Sequence, residues 1–323
     1  MSTFRSYISS SFGALTVLVV VALVIVAVGL AVTPPGSGGM ETGSTVTAST
    51  AYMGRGIERA VGAGAETGST VTTSTAATEA SAPESAVLPS TLPADAAKVK
   101  VPILMYHYVD AVPPPAGPYA DSLTVRTKDF KAEMKYLVDN DYRTVSLSDV
   151  YLAMAGRKRL PGKAVVLTFD DGGLDNYTVA FPVLEQHGLT ATFFVITGKV
   201  GKEGQMDWRQ LGEMAARGMS IQSHSVSHPD LRSVSAGRLK SELVDSRTAI
   251  DEAIGLPSYV LCYPSGAYNN KVIQAARAAG YVMAVTTDHG KEGDPAAVFE
   301  LHRRRVQAFL PLASFQFLRR GGE

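Results

Sequence analysis

Three short segments carry side chains able to do chemistry, and each follows directly on an apolar run. The first is Asp170-Asp171-Gly172, at the end of Ala164–Phe169 (AVVLTF). Adjacent carboxylates can divide the work: one binds a cation, and the other, held ionised by it, accepts a proton. A turn closed by Asp-Gly is the plainer reading of the same residues. The second is His224-Ser225-Val226-Ser227-His228, two imidazoles that can converge on one ion from a helical turn or a loop. Asp171, His224 and His228 together offer one oxygen and two nitrogens. Such a set leaves coordination positions open for water and substrate, as a catalytic divalent site requires. The third is Tyr263-Pro264-Ser265-Gly266-Ala267-Tyr268, either a strand-ending turn or a loop whose backbone N–H groups face a developing oxyanion.

These segments need a frame that gathers strand ends at one mouth. Short apolar runs alternate with helical periodicity through the C-terminal two-thirds, which predicts a β/α architecture, and polar clusters at strand C-terminal ends suggest a barrel. Strands are expected at 101–108, 164–169, 190–196, 219–223, 259–263, 281–286 and 298–306. Helices are expected from Thr127 (apolar face Phe130, Met134, Leu137 and Val138), near 175–187, and over 208–217, 235–254, 269–279 and 312–318.

The order of TFDDG (168–172), HSVSHPDL (224–231) and YPSGAYN (263–269) resembles the polysaccharide deacetylase family, the carbohydrate esterases with a NodB-homology domain. The likeness spans nearly all of residues 101–318 and includes GLTATFFV (188–195) and AAGYVMAVTT (278–287). It implies a distorted (β/α) barrel and metal-dependent removal of acetyl groups from N-acetylated sugars. It further implies Asp170 as catalytic base, Asp171, His224 and His228 as metal ligands, and the Ser265 N–H as a carbonyl-polarising donor. Tyr263, Pro264 and Gly266 would shape the substrate loop.

The chain also departs from the family. Ser265 stands where members usually have Tyr, and Leu261 where many carry an Arg that bridges to the base, so tuning of Asp170 by an arginine is left open. The usual downstream Leu-x-His has no clean match. Leu301-His302 lies inside LHRRRV, which resembles the Leu-Pro-Arg-x-x-Val strand of a subgroup, with His302 in the Pro place and structural. This segment's charges, scattered by strand alternation, say little about an anionic polymer. VPILMYHYVD (101–110) resembles the opening of poly-β-1,6-N-acetylglucosamine deacetylases, where this early His supplies the acid. That assigns the role to His107, against the alternative of a hydrogen-bonded His at a strand end. His187 and His289 read as surface or loop residues.

The 323 residues carry 30 Lys+Arg, 30 Asp+Glu, six His and one Cys. Balanced charge gives no general pull toward nucleic acid, which is not expected as a partner. One Cys excludes an intramolecular disulfide and any multi-Cys metal site. The charge is unevenly placed: residues 1–98 hold 4 basic and 6 acidic groups, leaving 26 and 24, with all six His, to the remainder.

After a short tail (1–13), Ala14–Val32 is apolar except for Thr16. At ~1.5 Å per residue it is close to bilayer thickness, so 14–33 is expected to be a transmembrane anchor, or a cleaved signal sequence. Arg5 is a weak signal that the domain lies outside the cytoplasm. In 34–98, Ser, Thr, Gly, Ala and Pro fill 46 of 65 positions, and Glu41–Thr47 recurs as Glu66–Thr72; this reads as a disordered linker. Residues 99–323 are the expected catalytic domain. The function so implied is N-deacetylation of N-acetylglucosamine residues in an extracytoplasmic polymer (poly-β-1,6-linked, peptidoglycan or chitin-like). The ligand set suggests zinc first, with cobalt, nickel or iron also suited. A non-catalytic glycan-binding member, or an esterase or amidase of the same fold, are the alternatives.

Overall fold

The computed structural model describes residues 87–110, 120–289, 292–306 and 315. The apolar segment 14–33, most of the proposed linker and the helix expected at 312–318 (Phe315 apart) lie outside these residues. Among the described residues no helix is long and apolar enough to cross a membrane.

Seven strands form one parallel sheet: β1 (Ile103–Tyr106), β2 (Ala164–Phe169), β3 (Thr192–Val195), β4 (Ser220–Ser223), β5 (Val260–Cys262), β6 (Met283–Val285) and β7 (Arg304–Arg305). Their spatial order is β6-β5-β4-β3-β2-β1-β7, and a two-residue strand at Arg143–Thr144 also pairs with the start of β2. Five of these strands are buried at every position, as expected of parallel strands covered on both faces.

The seam closes through the segment 301–305. Leu301 bridges to Val285 of β6, while Arg304 and Arg305 pair with Leu104 and Met105 of β1. The sheet therefore curls until its two edges share one piece of chain. The strand expected over 298–306 is thus two brief pairings with opposite edges, preceded by a 3-10 turn at Pro295–Ala297.

Helices α1 (Thr127–Asp139), α2 (Leu147–Met154), α3 (Phe181–Gln186), α4 (Trp208–Ala216), α5 (Ala236–Ile254) and α6 (Asn270–Ala278) accompany the sheet. Their starts follow side-chain chemistry. Ser146 and Asp149 form a capping box on α2, Asp207 and Gln210 one on α4, and Ser235 and Asn269 cap α5 and α6. Helix α2 has no counterpart among the expected elements; its Leu147, Val150, Tyr151 and Met154 are all buried at helical spacing. On α1 the buried face is Phe130, Glu133, Met134 and Leu137. Val138, expected in that face, is 41 % exposed, because it lies one residue past the stripe. A π-helical turn, Asn176–Ala180, leads into α3.

Strand parity places the site. Along β2, Val165, Leu167 and Phe169 belong to one core cluster, with Phe130, Leu184 and Leu211 of the helices. Ala164 and Val166 belong to the other, with Phe194 and Leu261. Period-two alternation then sends Thr168 and Asp170 to the second side. Just before the strand ends, Tyr106, Phe169 and Phe193 stack across β1, β2 and β3 with centroids 5.1 and 4.8 Å apart. Such cross-strand aromatic pairs stiffen the platform from which His107 and Asp170 emerge.

Residues before 99 also pack against the folded unit. Leu88 is buried in the second core cluster, and the Tyr151 hydroxyl donates to the Pro89 carbonyl at 2.8 Å. The last stretch of the expected linker therefore packs on the folded unit through Leu88 and Leu92.

Candidate active site

Asp170 leaves β2 with its backbone N–H bonded to the Tyr106 carbonyl at 3.0 Å. Its side chain is almost fully buried and meets Arg303 in a fork: Nη1 donates to Oδ1 and Nη2 to Oδ2, both at 2.7 Å. Arg303 itself is completely buried. Its Nε donates to the Thr286 carbonyl at 2.8 Å and its Nη1 to Thr168 Oγ1 at 3.1 Å. Burial alone would push the Asp170 carboxyl upward; the Arg303 charge and hydrogen bonds overcome this and hold it well below the usual carboxylate range. Asp170 is thus a buried, ionised carboxylate in fixed orientation.

The arginine comes from the barrel seam rather than from the loop before Pro264. Leu261, at the position where support from that loop was sought, is buried in the core. Cys262, one residue on and therefore on the opposite face, is the side chain beside the base. Its Sγ donates to Asp170 Oδ2 at 3.5 Å and accepts from Arg303 Nη2 at 3.2 Å. Within LHRRRV, the first arginine, Arg303, is the one that reaches the base. An arginine flanked by Leu301 and Val306 at the point where two sheet edges meet was the available signal.

The next residue points elsewhere. Asp171 adopts φ 75°, which turns its carboxylate out of the strand direction so that the pair diverges. Its Oδ2 accepts from the Tyr108 hydroxyl at 2.7 Å. Its Oδ1 faces His224 Nε2 at 3.6 Å and His228 Nε2 at 3.9 Å. These separations are too long for hydrogen bonds. The three side chains place one ligand atom each within 4.8 Å of one another, a spacing suited to donors that share a cation with bonds of ~2.0–2.2 Å.

His224 Nδ1 donates to the Cys262 carbonyl at 2.8 Å, since a carbonyl only accepts; this fixes the ring and turns Nε2, the atom free to act as a ligand, toward Asp171. Burial, then the neighbouring His224, lowers His228 to about 4. The residues present therefore fit a divalent cation.

A second grouping, Asp170, His224 and Cys262, is equally close but unsuited. Both Asp170 oxygens are taken by Arg303, a cation there would confront the guanidinium, and burial pushes the Cys262 thiol well up, keeping it protonated.

His107 follows directly on β1 and extends to the base: its Nε2 stands 3.9 Å from Asp170 Oδ2. The segment carrying it is clamped by the π turn. The Asn176 amide donates to the His107 carbonyl at 2.9 Å, and Asp175 Oδ2 accepts from the Val109 N–H at 2.6 Å. Burial lowers the His107 imidazole below its usual value, against the opposing pull of Asp170 and Asp171. Its Nδ1 is buried without a partner among the described residues. His302 is exposed, turned outward by the same alternation that sends Arg303 inward, and His187 and His289 also lie outside the cluster.

In the third segment, Ser265 and Gly266 adopt φ 53° and 69°. Ser265 is exposed at the loop tip, and its N–H has no partner among the described residues. Only glycine fits position 266, since a Cβ there would collide with Thr287. Tyr263, expected to shape the substrate loop directly, is fully buried and stacks on Tyr268 at 5.0 Å, and Pro264 is buried too. These two side chains brace the loop from beneath, because the strand parity that exposes the loop tip turns Tyr263 into the core.

Residues 157–284 match the family model for polysaccharide deacetylases. The Bacillus subtilis protein YxkH, whose name assigns it to the polysaccharide deacetylases, is 36 % identical over 216 residues, covering 67 % of this chain and 75 % of that protein. The poly-β-1,6-N-acetyl-D-glucosamine N-deacetylase of Escherichia coli K12 is 26 % identical over 211 residues, covering 52 % of this chain and only 31 % of that protein. Among solved structures, the Streptococcus pyogenes deacetylase PplD in complex with acetate has TM-score 0.63 and 32 % identity, covering 70 % of this chain and all of that one. With the curled parallel sheet, the paired carboxylates and the two converging histidines in place, these likenesses show that the chain belongs to the polysaccharide deacetylase family of hydrolases.

Proposed function

We propose that the protein removes acetyl groups from N-acetylglucosamine residues of an extracytoplasmic polysaccharide by metal-assisted hydrolysis. The supporting observation is the division of labour between adjacent carboxylates: Asp171 joins His224 and His228, while Asp170 is held ionised by Arg303 beside them. A divalent cation in that set, zinc by the preference of two imidazoles, supplies Lewis-acid polarisation of a carbonyl and acidification of water.

The chain's own groups do the rest. Asp170 accepts the proton of the attacking water as its oxygen bonds to the acetyl carbon. The Ser265 N–H is a donor for the oxygen on which negative charge develops. His107 is neutral at rest, since burial lowers its pKa. At 3.9 Å from Asp170 Oδ2 it can receive that proton through a small shift or one water. It then donates to the amine nitrogen as the C–N bond breaks, leaving a free amino sugar and acetic acid, whose remaining proton passes to the amine or to solvent to give acetate. Arg303 provides the cationic support that Leu261 does not, which counts against a non-catalytic reading. The names of the Escherichia coli relative and its like favour β-1,6-linked N-acetylglucosamine as substrate. The apolar segment 14–33 would anchor the domain on the extracytoplasmic face of the cell membrane, or direct its secretion if cleaved.

Acetate release should be assayed in parallel on β-1,6-linked N-acetylglucosamine oligomers, chitooligosaccharides, peptidoglycan fragments and acetylated xylan. We expect release from an N-acetylated polymer, lost on chelation and restored by zinc or cobalt. Undiminished release after chelation, or release from acetylated xylan alone, overturns the proposal. The acid assignment has its own test. His107→Ala should lower kcat by about 10²–10⁴-fold with metal still bound, whereas His302→Ala should stay within about twofold, as expected of an exposed side chain. Equal effects of the two would reject His107 as the acid.

A further inference from the structure

The segment between the two histidines has no regular secondary structure, yet it must deliver both imidazoles to one point. Ser225 and His228 adopt φ 64° and 60°, conformations that non-glycine residues keep only where the surroundings over-determine them. On one side the Thr197 and Gly198 N–H groups donate to the Ser225 and Val226 carbonyls at 3.2 and 2.8 Å. A Cβ on residue 198 would stand 2.6 Å from the Val226 oxygen, so this approach requires glycine. Within the loop, Ser225 Oγ accepts from the His228 N–H at 3.0 Å.

The other side is held by one side chain from a distant helix. Glu242, on α5 and 5 % exposed, accepts the Val226 and Ser227 N–H groups on Oε2 at 3.0 and 2.8 Å. Its Oε1 accepts from the Ser227 hydroxyl at 2.6 Å, and Arg238 Nε stands 3.5 Å away. One turn along the same face, Ser246 Oγ lies 2.8 Å from Ser223 Oγ, which in turn accepts from the Ser225 N–H at 3.2 Å. Helix α5 therefore grips the loop and the strand end that precedes it. Burial pushes the Glu242 carboxyl up, but the hydrogen bonds from Ser227 and Val226 outweigh this and keep it below its usual value, the ionised form that accepts from all three donors.

We propose that Glu242 is a positioning residue of the metal centre: its carboxylate fixes the backbone between His224 and His228 and so sets the separation and orientation of the two imidazoles. It touches neither substrate nor cation. The inference rests on the metal-site reading above, and it goes further by naming a residue that no motif contains.

The test uses the full-length protein with Glu242→Gln, Glu242→Asp and Glu242→Ala. Zinc affinity is measured by competition with a chromophoric chelator, and geometry by the visible absorption of the cobalt-substituted forms. Near-UV circular dichroism verifies folding. A glutamine can present its oxygen to both N–H groups and its amide to Ser227 Oγ, so it should bind zinc within about threefold of wild type. Loss of a supporting partner behind metal ligands typically weakens binding by about 10–100-fold, which is expected for alanine. Aspartate falls short by one methylene and should be intermediate, with an altered cobalt spectrum.

Wild-type zinc affinity and an unchanged cobalt spectrum in both Asp and Ala variants overturn the proposal, as does Gln binding as weakly as Ala. If Ala does not fold, Asp carries the decision. Failure of the wild-type protein to bind zinc or cobalt overturns the metal reading instead, so the two failures are distinguishable.

Discussion

Arg303→Met should cost the domain about 3–5 kcal/mol and almost all of its acetate release. The expectation follows from geometry. Asp170 is 2 % exposed, and the partner lost is the one that counters its burial. A buried carboxylate without a cation protonates, and a protonated Asp170 cannot accept a proton from water. The sign of the pH dependence follows. In the wild type the folded-state pKa is depressed, so the stability it confers is present above the unfolded value of about 3.9 and is lost as pH falls through the folded value.

In Arg303→Met the shift reverses, because burial is then unopposed. The folded state holds the proton more tightly than the unfolded, and stability is lost as pH rises. The difference in unfolding free energy between wild type and variant should therefore be smallest at the acid end of the series, grow as pH rises through the usual carboxylate range, and widen further toward neutrality. Urea denaturation at a series of pH values checks this. A constant difference across pH would show that Arg303 contributes packing rather than charge.

Asp170→Asn should reduce kcat by about 10²–10⁴-fold, the usual worth of a positioned general base, while zinc remains bound through Asp171, His224 and His228. The substitution keeps shape but removes the acceptor, and it sets an amide against Arg303 Nη2 where an oxygen stood. It should also be destabilising, since a buried guanidinium is left without its counter-charge. The double variant Asp170→Asn/Arg303→Met removes both charges. It should recover much of the stability lost by either single change, with activity still absent. Metal content, acetate release and denaturation on the four proteins of this cycle separate the two roles. Residual activity above roughly a tenth of wild type in Asp170→Asn would contradict its role as base, given the magnitude expected of one.

Much of the site was legible from sequence because strand-end motifs carry their own local geometry. TFDDG ends a buried strand, and period-two alternation decides which way Asp170 faces. HSVSH is short enough that its imidazoles stay near one another in almost any compact conformation. The helices were readable where caps and periodicity coincide, as at Ser235 and Asn269. Other features were not. Leu261 occupies the place where the family resemblance puts a bridging Arg, but it faces the core; a shift of one residue along a strand exchanges the two faces, and Cys262 is the neighbour of the base. Tyr263 counted as a substrate residue although its strand position turns it into the core. The segment 298–306 read as one strand because its apolar and basic residues alternate; it is a seam that pairs briefly with each edge of the sheet.

Determined by sequence alone were the donor types, their order along the chain, and the parallel β/α frame that gathers strand ends together. Each is a property of neighbours along the chain: apolar periodicity, turn chemistry and the alternation of side chains. Only the tertiary structure decided that Arg303 holds Asp170 across 133 positions, and that Glu242 of α5 holds the loop between the histidines. Both contacts depend on where the sheet closes and on how a helix docks against a strand end. Those choices are made by packing of the whole core, so no local window of sequence contains them.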